Sequence, residues 1–419
     1  MISFLSALLG LNYAFWGLVG FIRLCDARLR RKRPASAAEI GARLRIADVA
    51  VVIPAYNEQI ALPKCIRALS QVISTKQIYV ASDGSKDDTV AIGRALGCQV
   101  LDIKPNGGKA RALDRAIRHF DLCKRYRAIL IQDADSEIDP GYFTHALPLF
   151  DDPTVVVVAG HVTSAWRPAA WPSLTMLYTA YRTRLYRFLQ AMFQYGQCWK
   201  WTSVSYIAPG FASMYRTSIL PFLDITAPGL VVEDFHMTFE VHRKKLGRVA
   251  YSPLARCATE DPFRLPDYSR QVLRWYLGFW QTIRRHGVWP GKFWLALGPL
   301  TLGLVLYRLF LLAMPLLLIA EIAASLGAAP GVHDAATAQW SPLGWLWIFL
   351  AADYALTVGV AIFERRPILL LYGLAFPILG LLDAGLFIVA AVQAMTVRSD
   401  GRWKSPERRA SQAMPGASL

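Results

Sequence analysis

From Asp48 to Asp135 the chain alternates short apolar runs with stretches whose apolar residues recur every three or four positions. DVAVVIPAY, QIYVASD, CQVLDI and RAILIQDAD read as strands, and EQIALPKCIRAL, DDTVAIGRAL and GKARALDRAIRHF as helices. This order predicts an α/β domain, Rossmann-like, with a mostly parallel sheet covered on both faces. Ligands of such sheets bind beyond the carboxyl ends of the strands. Polar clusters fall at those ends: Tyr56-Asn57-Glu58, Asp83-Gly84-Ser85 and Asp133-Ala134-Asp135.

Longer apolar runs flank this region. Ile2 to Ile22 carries no charge and precedes the Arg-rich RLCDARLRRKRP, so it predicts an uncleaved membrane helix with its C-terminal end in the cytoplasm. Runs at 299–325, 342–363 and 367–395 predict a C-terminal membrane region of about three segments. The third contains Pro377, Gly380 and Asp383 and is expected to span, bend, re-enter or lie in the interface. In SLTMLYTAYRTRLYRFLQAMF, apolar residues at spacings of three and four beside Arg182, Arg184 and Arg187 suit a helix lying on lipid. The expected organisation is a membrane helix at 1–24, a basic linker at 25–47, a cytoplasmic domain at 48–290, a membrane region at 291–396 and a basic tail at 397–419. Interfacial helices are expected near 170–195 and 268–290.

Composition agrees with a membrane protein. Hydrophobic residues make up 54% of the 419, and the net charge is +16. With such apolar segments, the basic charge points to anionic lipid and phosphorylated small molecules, with no nucleic-acid partner. The six cysteines form no CxxC pair, which excludes a disulfide framework or zinc knuckle. No GxGxxG or GxxxxGK[ST] is present, which disfavours dinucleotide oxidoreductases and P-loop ATPases. A transporter or binding scaffold is disfavoured by the small number of spans and the lack of an inverted repeat.

Each cluster has its own chemistry. Asp133 and Asp135 at a strand end suit a hard divalent cation. Gly108 and Lys109 start a helix, where amides, dipole and ammonium suit phosphate. Asp83 is placed to accept from a nucleobase or to cap the next helix; Asp87 and Asp88 look like capping residues. Glu233 and Asp234 in LVVEDFHMTFE follow another apolar run, where a desolvated carboxylate can take a proton from a hydroxyl; the alternative is a helix cap. His236 lacks a second histidine at ligand spacing and reads as a packing or hydrogen-bonding residue. In RQVLRWYLGFW, spacings of three and four bring Gln271, Arg274 and Trp275 to one side of a helix.

In order, VVIPAYNE, SDGSKDDT, NGGKA, DAD, GFASMYR, VVEDFHMT and QVLRW closely resemble the membrane-embedded inverting family 2 glycosyltransferases with a GT-A fold. That family includes cellulose, chitin, hyaluronan and poly-N-acetylglucosamine synthases and the nodulation chitooligosaccharide synthase. The resemblance covers about residues 48–285. It implies donor contacts from Pro54, Tyr56, Glu58, Asp83, Gly108, Lys109 and Asp133 to a UDP-sugar. It implies Mg2+ or Mn2+ at Asp133 and Asp135, Asp234 as general base beside Glu233, and a QxxRW motif at Gln271, Arg274 and Trp275 for acceptor and diphosphate. The expected activity is processive transfer to a β-linked polysaccharide that crosses the plasma (inner) membrane, with single transfer to a membrane lipid as the alternative. Arg308, Asp353 and Asp383 would line a polar path, unless Arg308 snorkels to the surface. Asp114 stands where many members have Asn, and Ala208 to Ser213 lacks the cysteine of cellulose synthases, which disfavours cellulose. No cyclic-dinucleotide sensor is expected.

Overall fold

The computed structural model describes residues 2–29, 43–166, 173–327 and 341–396. The expected basic tail and most of the basic linker lie outside the described residues.

After the N-terminal helix α1 (Ile2–Leu29) come β1 (Val49–Ala55), α2 (Leu62–Ser70), β2 (Ile78–Asp83), α3 (Thr89–Ala95), β3 (Gln99–Ile103), α4 (Lys109–His119), α5 (Leu122–Arg125) and β4 (Ala128–Ile131). Then follow β5 (Ser136–Ile138), α6 (Tyr142–Ala146), β6 (Val155–Ser164), α7 (Leu174–Leu189), β7 (Ser213–Arg216), α8 (Glu233–Arg243) and β8 (Arg248–Thr259). The chain ends in α9 (Leu265–His286), α10 (Lys292–Gly327), α11 (Pro342–Glu364), α12 (Ile368–Gly373) and α13 (Phe376–Thr396).

All eight strands join one sheet in the order β3-β2-β1-β4-β7-β6-β8-β5. β3, β2, β1 and β4 run parallel, as the βαβ pattern requires; β7 pairs antiparallel with β4 and β6, and β5 with β8. Every residue of β1 is buried, because helices cover both faces. Val49, Val51 and Ile53 pack with Leu62 and Ile66 of α2, while Ala50 and Val52 pack with Leu113 and Ile117 of α4. This mostly parallel mixed sheet is a Rossmann-like GT-A fold. The strand-end clusters at Tyr56, Asp83 and Asp133 therefore share one edge.

Among the described residues, three helices are long and apolar enough to cross a membrane: Lys292–Ala323, Pro342–Glu364 and Phe376–Thr396. The first begins well before the expected residue 299. The run expected at 367–395 is two helices, α12 and α13, broken at Leu374 and Ala375, and α13 continues through Pro377, Gly380 and Asp383. The charge-free N-terminal stretch is the start of α1. Trp16 of α1 packs with Phe193, Phe293 and Leu297. Arg23 forks onto the carbonyls of Tyr195 (2.5 Å) and Tyr251 (2.9 Å), fastening α1 to the sheet domain.

α7 differs from the expected lipid-surface helix. Met176, Tyr178, Tyr181, Arg182 and Arg184 are buried, and Arg182 is 0% exposed. Apolar spacing defines a stripe but not its partner, and here the partners are protein helices. Arg184 pairs with Asp353 of α11 at 2.7 Å. Tyr181 and Tyr268 both donate to Asp383 of α13, at 3.2 and 2.8 Å. Arg308 donates to the Tyr276 hydroxyl at 3.2 Å and so turns inward rather than snorkelling. α7 continues through a π-turn at Gln190–Gln194. α9 packs along α13 and ends at Gly287 in the left-handed region (φ +63°), with Arg284, Arg285 and His286 suited to its negative end.

Candidate active site

Asp83 at the end of β2 accepts the amides of Gly107 (2.9 Å, Oδ1) and Gly108 (2.6 Å, Oδ2). It therefore does not cap α3. That task falls to Asp87, whose Oδ1 accepts the Thr89 amide, whereas Asp88 occupies the N-cap position without a side-chain bond. Burial pushes the Asp83 carboxyl up, opposed by the two amides. Gly84 (φ +75°) faces this loop so closely that a Cβ there would stand 2.8 Å from the Asn106 amide. The loop after β1 is tied to the same edge: the Asn57 amide donates to Ser85 Oγ (3.1 Å), and the Glu58 amide to Thr89 Oγ1 (2.9 Å).

Lys109 is the first residue of α4. Its Nζ sits 2.8 Å from Asp133 Oδ1 and 3.0 Å from Glu233 Oε1, and donates to the Gly210 carbonyl at 3.0 Å. Burial favours the neutral amine, but the acids at 133, 233 and 234 outweigh it and hold the ammonium charged well above the usual lysine range. Burial likewise pushes the Asp133 carboxyl up, with Lys109 opposing and Asp135 adding to the rise.

Glu233 and Asp234 open α8, whose N-cap is Val232, so Asp234 is not the helix cap. Asp234 Oδ2 accepts the Gly210 amide at 3.0 Å, and Oδ1 accepts the Phe235 amide at 2.6 Å. Gly210 thus faces both Lys109 and Asp234, through its carbonyl and its amide. Burial and the neighbouring Glu233 push the Asp234 carboxyl up to about 7, against the pull of Lys109 and the amides. A carboxylate so tuned suits proton abstraction at neutral pH. His236 bonds to His286 (2.8 Å) and to the Asp224 carbonyl (3.0 Å), as a hydrogen-bonding residue should.

On α9, Gln271 Oε1 accepts from Arg182 Nη2 at 2.9 Å, and the same guanidinium lies 4.2 Å from the centre of the Trp275 ring. Arg274 faces the acids instead. Burial lowers it to about 10, with Glu233, Asp133, Asp234 and Asp135 opposing.

A cavity of about 1300 Å³ is lined by Pro54, Tyr56, Glu58, Asp83, Lys109, Asp133, Asp135, Glu233, Asp234, Gln271, Arg274 and Trp275. Of the expected site residues, only Gly108 stands outside the lining; its amide holds Asp83 instead. The cavity continues between the long apolar helices past Tyr276, Arg308, Asp353 and Asp383. Arg182 and Asp261 also line it, although sequence reasoning had not singled out either as a site residue. Asp261 had a signal: it is the second of two adjacent acids just beyond β8. Burial pushes its carboxyl up to about 7, opposed by Arg182.

Among the described residues, no three side chains of ligating type cluster as a closed metal cage. An open pair of carboxylates at Asp133 and Asp135 nevertheless fits a hard cation that completes its shell with phosphate oxygens and water, as Mg2+ and Mn2+ do.

Residues 50–220 match the family model for glycosyl transferase family 2. The hyaluronan synthase of Streptococcus pyogenes is 28% identical over 251 residues, covering 56% of this chain and 57% of the relative. The chain thus spans just over half the length of that curated relative. A dolichyl-phosphate beta-glucosyltransferase of Dictyostelium discoideum is 32% identical over 103 residues, covering 21% of this chain and 30% of the relative. Among solved structures, the mannosyltransferase PcManGT of Pyrobaculum calidifontis, in complex with GDP-Man and Mn2+, superposes with a TM-score of 0.50. That match is 17% identical, covers 94% of this chain and 99% of the other, and supports the shared fold. Residues 50–220 thus resemble a family 2 glycosyltransferase domain on a GT-A fold, and the chain adds helices long and apolar enough for a membrane.

Proposed function

We propose that the protein is an inverting glycosyltransferase that moves a sugar from a UDP-sugar to an acceptor hydroxyl delivered along the cavity from the membrane side. One observation carries this reading: Lys109, Asp133, Asp135, Glu233, Asp234 and Arg274 converge at one end of a cavity that runs on between apolar helices.

Pro54, Tyr56, Glu58 and Asp83 border the pocket for the nucleoside, with the Gly107–Gly108 loop fixed by Asp83. Asp133 and Asp135 would hold Mn2+ or Mg2+; when bound, the cation neutralises the diphosphate and favours its departure. PcManGT was solved with Mn2+ and a nucleotide sugar, which supports this choice. Lys109 and Arg274 supply further positive charge to the leaving group. Asp234 takes the proton of the acceptor hydroxyl as its oxygen bonds to the anomeric carbon. The bond from that carbon to the diphosphate breaks on the opposite face, the electron pair leaves with UDP, and the configuration inverts. The Trp275 ring offers an apolar plate to the acceptor.

The acceptor in the leading reading is a growing β-linked polysaccharide, in keeping with the extent of the hyaluronan synthase match. The domain then faces the cytoplasm, and the polymer leaves through the plasma membrane. The second reading is a lipid acceptor, favoured by the apolar lining at Leu297, Leu300, Leu304, Ile348, Phe349 and Leu356. The test is purified full-length protein with Mn2+ or Mg2+, a panel of UDP-sugars and membrane lipid, reading UDP release and product mass. A ladder of oligomers supports the polymer, one sugar on a lipid supports the alternative, and no UDP release with any donor overturns the transferase reading.

A further inference from the structure

Two buried groups in the cavity each carry one polar atom without a partner among the described residues. Asp261 Oδ2 is shut off from solvent with no hydrogen-bond donor among the described residues, and Arg182 Nε likewise has no acceptor. Each such orphan costs free energy and persists in a native fold only with a reason. Arg182 is otherwise held rigidly: Nη2 on Gln271, Nη1 on the Tyr186 hydroxyl (3.1 Å), and its plane over Trp275. No carboxylate forms an ion pair with it among the described residues, although it is wholly buried. Asp261 is placed from the other end. The Glu260 amide donates to the Asp135 carbonyl at 3.3 Å, which sets the segment after β8 beside the Asp-Ala-Asp turn.

Asp261 thus follows a segment tied to the Asp-Ala-Asp turn, Arg182 lies against Trp275, and both line the same cavity. One is a bare acceptor and the other a bare donor. A sugar ring offers what both need, since neighbouring hydroxyls donate and accept along the rim while the C–H face lies on an aromatic plate.

We propose that Asp261 and Arg182 grip hydroxyls of the acceptor sugar lying against Trp275, so that they set acceptor recognition rather than donor binding. This inference rests on the glycosyl-transfer reading and narrows its acceptor to a carbohydrate.

The experiment uses full-length protein in detergent with Mn2+, the donor that releases UDP, and either cellobiose or N,N′-diacetylchitobiose as soluble acceptor probe. Asp261→Asn and Arg182→Gln are expected to raise the disaccharide KM about ten-fold or more, the worth of a charged hydrogen bond. Calorimetric UDP affinity should stay within about two-fold, because neither group is placed at the nucleotide. Arg182→Lys, which keeps the charge, should recover part of the loss. Asp261→Asn should also melt at or above the wild-type temperature, because it removes a buried orphan charge. An unchanged disaccharide KM in Asp261→Asn overturns the proposal. So does a parallel fall in UDP affinity and melting temperature, which marks a structural role. Wild-type protein that releases UDP but is stimulated by neither disaccharide removes the carbohydrate acceptor and this proposal while leaving the transferase reading standing. Absence of any UDP release removes both.

Discussion

Lys109 and Glu233 are joined by a 3.0 Å ion pair that links the first residue of α4 to the first residue of α8. The same ammonium holds Asp133, so one cation neutralises an acid just beyond β4 and another at the start of α8. Lys109→Met strands both carboxylates, and leaving these part-buried charges without their partner costs about 1–3 kcal/mol. We expect a lower melting temperature and lost calorimetric UDP binding. A variant that melts and binds UDP like the wild type would remove the lysine from the site.

Asp234→Asn keeps the shape of the α8 start but cannot accept a proton. Transfer should fall by about 10²–10⁴-fold, the usual worth of a general base. UDP affinity, measured calorimetrically, should stay near wild type. Retained turnover in this variant would move the base elsewhere.

The raised Asp234 carboxyl sets a pH profile. Its base form populates only as pH passes about 7, so kcat/KM for the donor should climb with pH and level off above that value. Glu233→Gln removes a neighbouring negative charge and should shift the limb downward. Stability runs the other way. The unfolded carboxyl releases its proton near its ordinary value of 3.8, whereas the folded one keeps it up to about 7. Fewer protons on the unfolded chain make the slope of stability with pH negative across that window. Asp261 adds in the same direction. The buried His161, His242 and His286, held down to about 4, act with the opposite sign over the same window, so the Asp234 contribution is read as the wild-type melting temperature minus that of Asp234→Asn. This difference should fall from about pH 4 to 7 and flatten above, and a rise in it contradicts the assignment.

Arg184 and Asp353 meet at 2.7 Å, and Thr357 Oγ1 also accepts from the same guanidinium nitrogen at 3.0 Å. Asp353→Leu leaves Arg184 buried without its partner and should destabilise by about 3–5 kcal/mol, whereas the double Leu variant should recover most of that loss. Thermal unfolding in detergent reads both. Equal melting of the single and double variants would show that the pair is not coupled.

The sheet was legible because short continuous apolar runs and period-3.6 patterns alternate cleanly from Asp48 to Asp135. The edge position of Asp83 and Asp133 followed from the rule that strands of such sheets present their carboxyl ends together, whereas Asp234 reaches the same place from the start of α8. Less legible was everything that needs a partner from far along the chain. The arginines of α7 looked lipid-facing because Asp353 and Gln271, which hold Arg184 and Arg182, lie on distant helices. The bonds from Asp83 to the glycine loop were hidden for the same reason, since local spacing favours the nearer task of capping α3. Gly210 carried no signal, because its role lies in backbone atoms that any residue type possesses.

The fork of Arg23 onto the Tyr195 and Tyr251 carbonyls makes the N-terminal helix more than a tether. A helix joined to the sheet only by a linker would let the reaction edge swing above the bilayer like a buoy on a chain. Clamped at two carbonyls, it acts instead as a strut, so that α1 and the sheet move as one body.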